Sequence, residues 1–197
     1  MHGAHYAISE ALIVLVALWG AARLWRGGYS LAAVGILLFG TAAAIGTYRF
    51  GTDQVESFAA IHKSFSQSGG AIAMALISGQ LLLSNAFVRQ QPAAKRVILA
   101  LIAASALAAL LAPDLTTLLF LGWLIIAIVT ACLIPAPTVA RRLGFAAIVS
   151  IFLVNLLLVR QSAALGPSLS WHLFHTLVAI WIVGMVWIFG RNREAQK

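Results

Sequence analysis

Charge is scarce in this chain, and negative charge scarcer still: 9% of its 197 residues are charged, five of them acidic against thirteen basic. So little charge cannot cover a soluble domain of this size. With 62% hydrophobic residues and a mean hydropathy of +0.98, the chain reads as an integral membrane protein. A single cysteine, Cys132, excludes an intrachain disulfide and is most simply a small apolar packing residue. There is no C-x-x-C, H-E-x-x-H, phosphate-cradling glycine loop or G-x-S-x-G. Readings as a soluble metalloprotease, a nucleotide-dependent enzyme or a serine hydrolase therefore lack support. Residues 1–6 contain no Lys or Arg, and Glu10 interrupts the apolar onset, so the first apolar run reads as a true helix and not a secretory signal. Nothing alternates as the strands of a β-barrel would, and no internal repeat is evident.

What the chain does have is long apolar runs, seven of them, at about 8–24, 30–48, 57–87, 97–112, 115–134, 139–159 and 168–189. Crossing a hydrocarbon core of about 30 Å takes about 20 helical residues. Breaks fall at Arg26-Gly27-Gly28, Gly51-Thr52-Asp53, Gln91-Pro92, Pro113-Asp114, Pro135-Ala136-Pro137 and Gly166-Pro167. Such short connections predict antiparallel neighbours in one all-α bundle over residues 1–197, with no soluble domain.

Basic residues in short loops are retained on the cytoplasmic side. One set of connections, with the C-terminal tail, holds Arg23, Arg26, Arg89, Lys95, Arg96, Arg141, Arg142, Arg191, Arg193 and Lys197, whereas the other holds only Arg49, Lys63 and Arg160. This predicts the N-terminus outside and the C-terminus in the cytoplasm, in a membrane whose short loops fit the bacterial inner membrane. A basic inner surface against anionic lipid accounts for the net charge of +8 with no nucleic-acid partner. All five histidines then lie at the outer edge, with Glu10, Asp53, Glu56 and Asp114; only Glu194 lies inside.

Helical spacing decides which of these groups can meet. His172, His175, Thr176 and Ala179 share a face of the seventh helix, and His62 and Ser66 are one turn apart on the third. The run Ser64, Ser66, Gln67 and Ser68 is polar for a span and should face a cavity or another helix. His62, His172 and His175, meeting below the surface, are candidate ligands of zinc. Zinc lowers the pKa of a bound water to about 7 and polarises a carbonyl, which suits amide or ester hydrolysis. Glu10 or Glu56 is then the candidate proton carrier. His62 with His175 could instead supply one haem, and the tail histidines His2 and His5 could help bind copper or zinc. The blander alternative has His172 and His175 as interhelical hydrogen bonds, sensitive to pH because an unperturbed imidazole titrates near 6.5. Arg49 with Asp53 is a candidate ion pair, Asn155 and Arg160 candidates for reaching the cavity or the headgroups, and Gln80, Ser84 and Asn85 candidates for joining helices. The last apolar run has no lysine, which argues against a retinal Schiff base.

Seven spans, the segment Ser168-Leu-Ser-Trp-His172-Leu-Phe-His175-Thr-Leu-Val and the segment Gly46-Thr-Tyr-Arg49-Phe-Gly51 resemble the CREST superfamily of alkaline ceramidases, progestin and adipoQ receptors and hemolysin III proteins. The resemblance implies a seven-helix fold, known or suspected lipid amide hydrolysis or receptor function, and zinc held by one second-helix histidine and an H-x-x-x-H pair on the seventh. His175 fits the second histidine of that pair. His172 stands three residues before it, not four, and Arg49 stands where the second-helix histidine belongs. The expectation is a CREST-like membrane hydrolase of a lipid amide or ester. In it His62, His172 and His175 hold zinc, Ser66 supports the oxyanion or bound water, and Glu10 or Glu56 transfers protons. The alternative is a non-enzymatic receptor, transporter or accessory subunit that binds a lipid, haem or metal in the same outer cavity, alone, as a homo-oligomer or with a protein partner.

Overall fold

The structure, a computed structural model, describes residues 3–136 and 138–194, with 193 and 194 described by their backbone only. His2, Pro137 and Lys197, and the side chains of Arg193 and Glu194, lie outside the described residues. Within them the chain is helical throughout, with no strand: α1 (Tyr6–Arg26), α2 (Ser30–Gly51), α3 (Ala59–Ser64), α4 (Gly70–Leu83), α5 (Ala86–Arg89), α6 (Pro92–Leu111), α7 (Thr116–Cys132), α8 (Val139–Val154) and α9 (Gly166–Glu194). Apolar residues in hydrocarbon leave the backbone no partner but itself, and a helix satisfies every peptide group internally.

Six helical segments are long and apolar enough to span a membrane: Tyr6–Arg26, Ser30–Gly51, Pro92–Leu111, Pro113–Cys132, Val139–Val159 and Ala163–Asn192. The third apolar run folds differently from one uniform helix. α3, a wider π-helical turn at Phe65–Gly69 and α4 follow one another without leaving helical geometry, and Leu83 ends the rod. The expected extension to residue 87 belongs instead to the short α5, which the Asn85 side chain caps by accepting from the Phe87 amide. The fourth run starts earlier than its apolar core, at Pro92, whose fixed φ suits a first helical position. A second π-helical turn, Asn155–Val159, ends α8.

The turns are set by residues that tolerate left-handed backbone. Gly28 at φ +83° reverses the chain between α1 and α2, and Gly166 at φ +66° does so before α9. Helices adjacent in sequence pack together as expected, with one departure: α1, α2, α4, α7, α8 and α9 form a closed ring, and α6 lies outside it against α4. Small residues allow these approaches. A Cβ on Gly35 would come within 2.8 Å of Ile77 and still closer to the Ala73 carbonyl, so α2 and α4 are in backbone contact. α6 is fixed to α7 by a hydrogen bond of 2.9 Å from the Trp123 indole to Ser105. The ring's interior is filled by Leu24, Ile36, Met74, Ile77, Leu124, Trp181, Met185 and Phe189. Gln80 joins helices as anticipated, its side-chain oxygen accepting from the Leu31 amide, and Ser84 donates to the Gln80 carbonyl.

Candidate functional site

The beginnings of α1, α3, α7 and α9 and the ends of α2 and α8 meet at one edge of the ring, the edge that carries the histidines. The Tyr6 ring lies 5.5 Å from Phe50 of α2 and 5.3 Å from Trp171 of α9, which seals α1 into this edge. Just below, one turn into α1, Glu10 is only 2% exposed. A buried carboxylate needs partners, since desolvating its charge unpaired is very costly. Its partners are two imidazoles: Oε1 stands 3.3 Å from Nε2 of His175 and 3.6 Å from Nε2 of His62. Both contacts are of ion-pair length without hydrogen-bond alignment, so Oε1 accepts no hydrogen bond among the described residues. Such contacts commonly tighten only when substrate binds.

The three side chains converge because Gly46 of α2 gives them room. A Cβ there would overlap the Glu10 carboxyl group and come within 3.0 Å of His62 Nε2.

The far nitrogens decide where the protons are. Nδ1 of His175 lies 2.7 Å from the Trp171 carbonyl, which can only accept, so this nitrogen carries a hydrogen. Nδ1 of His62 lies 3.3 Å from the Arg49 guanidinium, which can only donate, so here the hydrogen is on Nε2. Arg49 is itself held by donating to the Val55 carbonyl. His62 thus offers Glu10 an N–H, whereas neutral His175 offers it a lone pair. Two bare lone pairs at 3.3 Å repel, so this contact offers a place where one proton can be held between Glu10 and His175.

His172 is directed elsewhere. Its Nδ1 is 3.1 Å from the Ser9 hydroxyl, which donates to the Tyr6 carbonyl, and its ring packs 5.2 Å from that of His5. His5 in turn reaches the Ser168 hydroxyl at 3.2 Å. The tail histidine and the first of the α9 pair therefore make a separate cluster beside the site.

A cavity of about 710 Å³ opens from the Glu10, His62 and His175 group into the ring. Ser66, Gln67 and Arg160 supply polar lining, and Phe39, Phe120 and Phe152 an aromatic wall. Its volume is that of a pocket which encloses a small ligand, about 300 to 1,000 Å³. Both π-helical turns border it, a common placing for such turns. The Trp171 ring lies 4.5 Å from that of His175, forming one side of the cavity.

Of the residues expected to act together, His62, His175, Glu10 and Ser66 share this cavity, while His172 and Glu56 do not line it. Arg49 does not pair with Asp53 among the described residues; it serves His62. Asn155 is fully buried, donates to the Phe174 carbonyl at 2.8 Å and joins α8 to α9. The sequence does not reveal the roles of Gly46, Trp171 and Arg49 at the site. Only the glycine had a legible signal, standing one turn before Arg49 in a helix end.

The zinc that the resemblance implies needs a donor set that these side chains do not offer. Among the described residues no group of three His, Cys, Asp or Glu side chains is arranged to hold a metal. More tellingly, a histidine that binds zinc through Nε2 donates from Nδ1 to a second-shell acceptor, and His62 has a guanidinium cation in that place. The Glu10 carboxyl also lies against both Nε2 atoms, 3.3 and 3.6 Å away, and crowds any haem iron they would share. Neither group fits the side chains as they stand. No family model matches the chain, and neither a curated protein nor a solved structure does.

Proposed function

We propose that this chain is a seven-span membrane protein of the bacterial inner membrane, with its N-terminus outside, that hydrolyses a lipid amide or ester by acid–base catalysis in the outer half of the bilayer. The span that completes seven, third in chain order, is the continuous rod of α3, its π-helical turn and α4, and the histidine-bearing edge is the outer one, since the opposite edge carries most of the basic residues. One observation carries the functional reading: a buried carboxylate stands between two imidazoles at the end of a cavity whose remaining wall is largely apolar. Titratable groups buried within a span are expensive and serve function by default.

In this reading the Glu10 carboxylate and neutral His175 start without a proton between them and take one from water as the water oxygen forms a bond to the substrate carbonyl. The same pair returns that proton to the departing amine or alkoxide as the C–N or C–O bond breaks. His62, with its hydrogen fixed on Nε2 by Arg49, stabilises the carboxylate after the proton has left. The Ser66 hydroxyl supports the oxyanion or the attacking water. The CREST resemblance supports the substrate class, while the chemistry here runs on the chain's own acid and base.

The test is turnover of ceramide-like amides and of lipid esters by purified full-length chain, wild type against Glu10→Gln and His175→Asn. Replacement of either partner should lower turnover by about 10² to 10⁴ with the fold retained. Failure of wild type to release fatty acid from any of these lipids, or equal rates in the variants, would sink the reading. Metal analysis of the same samples adds a sharper arm, because stoichiometric zinc lost on His175→Ala would restore the metal-dependent mechanism. A second reading, in which the cavity binds a lipid without cleaving it, draws support from the absence, among the described residues, of any serine bonded to Glu10, His62 or His175.

A further inference from the structure

Three basic side chains belong to the histidine-bearing edge: Arg49, Lys63 and Arg160. Arg49 is held by Val55 and His62, and Lys63 does not line the cavity. Arg160 does line it, and no carboxylate is paired with it among the described residues.

Its position is built and not incidental. The π-helical turn that precedes it is tied to α9 by two bonds, from Asn155 to the Phe174 carbonyl at 2.8 Å and from Ser170 to the Val159 carbonyl at 2.8 Å. The Arg160 amide closes that turn on the Asn155 carbonyl at 3.0 Å. Its guanidinium carbon then lies 5.3 Å from the centre of the Phe174 ring, which is 5.1 Å from the His175 ring. The cation is therefore within about 10 Å of the imidazole that lies against Glu10. Guanidinium is the side chain best matched to phosphate and carboxylate, which it binds in two-pronged fashion. Phe39, Phe120 and Phe152 offer nothing to an anion alone, but they suit a hydrocarbon chain.

We propose that the cavity takes a single-chain amphiphile with an anionic headgroup, phosphate or carboxylate. Arg160 holds the charge, and the chain lies against Phe39, Phe120 and Phe152. This rests on the acid–base reading of the site and adds its substrate class: the ester or amide presented to Glu10 and His175 lies within a headgroup's length of a negative charge.

The experiment is binding, separate from turnover. Full-length chain in phosphatidylcholine nanodiscs is titrated with lysophosphatidate and with monoacylglycerol of the same bromine-labelled chain, read by tryptophan quenching, with inorganic phosphate as competitor. Lysophosphatidate should bind about tenfold tighter or better, the scale of one hydrogen-bonded charge contact. Arg160→Gln should abolish that preference, and Arg160→Lys should keep most of it. Equal affinity for the two lipids, or a preference that survives Arg160→Gln, would overturn the proposal. So would phosphate competing as well as the lipid itself, which would mark a site for a free anion. Selective binding without cleavage by wild type would refute the hydrolase and leave the anion site standing. Cleavage with equal affinity for both lipids would do the reverse.

Discussion

Gly46→Ala is the substitution whose consequence can be worked most fully from the geometry. The added Cβ would overlap the carboxyl group of Glu10 and approach His62 Nε2 to 3.0 Å. Glu10 cannot swing away freely, because it is 2% exposed and lies between two imidazoles. Either α1 and α2 move apart or the acid leaves its partners. Overfilling a packed interior in this way costs about 1 to 3 kcal/mol. The cost should vanish once the obstacle is removed, so Gly46→Ala made in a Glu10→Ala background should be nearly neutral. The double-mutant cycle, measured by reversible denaturant unfolding in micelles, should return a coupling of about 1 to 3 kcal/mol. Gly40→Ala is the control. Its Cβ would meet Ala17 Cβ at 2.8 Å in the same pair of helices, so it should destabilise with no dependence on Glu10. An additive cycle at Gly46, or full stability of Gly46→Ala alone, would mean that the carboxyl group is not wedged where it is described. The convergence of the three side chains would then fail with it.

Two further outcomes follow from the same contacts. Nitrogen-15 NMR of labelled histidines should find neutral His62 with its hydrogen on Nε2 and His175 with hydrogen on Nδ1, and Arg49→Met should release His62 into a mixture of tautomers; the opposite assignment for His62 would reopen it as a metal ligand. Asn155→Ala should cost about 1 kcal/mol by loss of its bond to Phe174, and it should weaken lysophosphatidate binding without touching Glu10 chemistry, whereas unchanged binding would separate Arg160 from the turn that carries it.

The bundle was legible because hydrophobicity is local: an apolar run long enough to span must be helical, whatever it packs against. The ring order was not. That α4 packs against both α7 and α6, leaving α6 outside the ring, depends on small residues such as Gly79, which takes the Ile102 side chain of α6 against its backbone, and no periodicity announces a choice of neighbour. In the site, Glu10, His62 and His175 stood out because ionisable residues in apolar runs are rare. Their grouping was legible only as a shared depth. His172 and His175 look equivalent at a spacing of three. Yet a rotation of about 60° between them sends one to Ser9 and the other to Glu10. Arg49 was misjudged because its nearest acid in sequence, Asp53, sits at φ +57° in the turn, while its actual partners are a carbonyl and an imidazole.

The two π-helical turns have a consequence for how this protein is partitioned. Each holds one residue more than an α-helical turn would, so each rotates what lies beyond it by about 100° relative to the packed helix it belongs to. Below the turn at Phe65–Gly69, α4 is phased by Ala73, Met74 and Ile77 against its neighbours; above it, His62 is phased by Glu10 and Arg49. The turn at Asn155–Val159 separates Phe145, Val149 and Phe152 from Arg160 in the same manner. Each helix thus keeps two independent angular settings, one that seats it in the bundle and one that aims a side chain at the cavity, and a change in chain length of a single residue can reset the second while sparing the first.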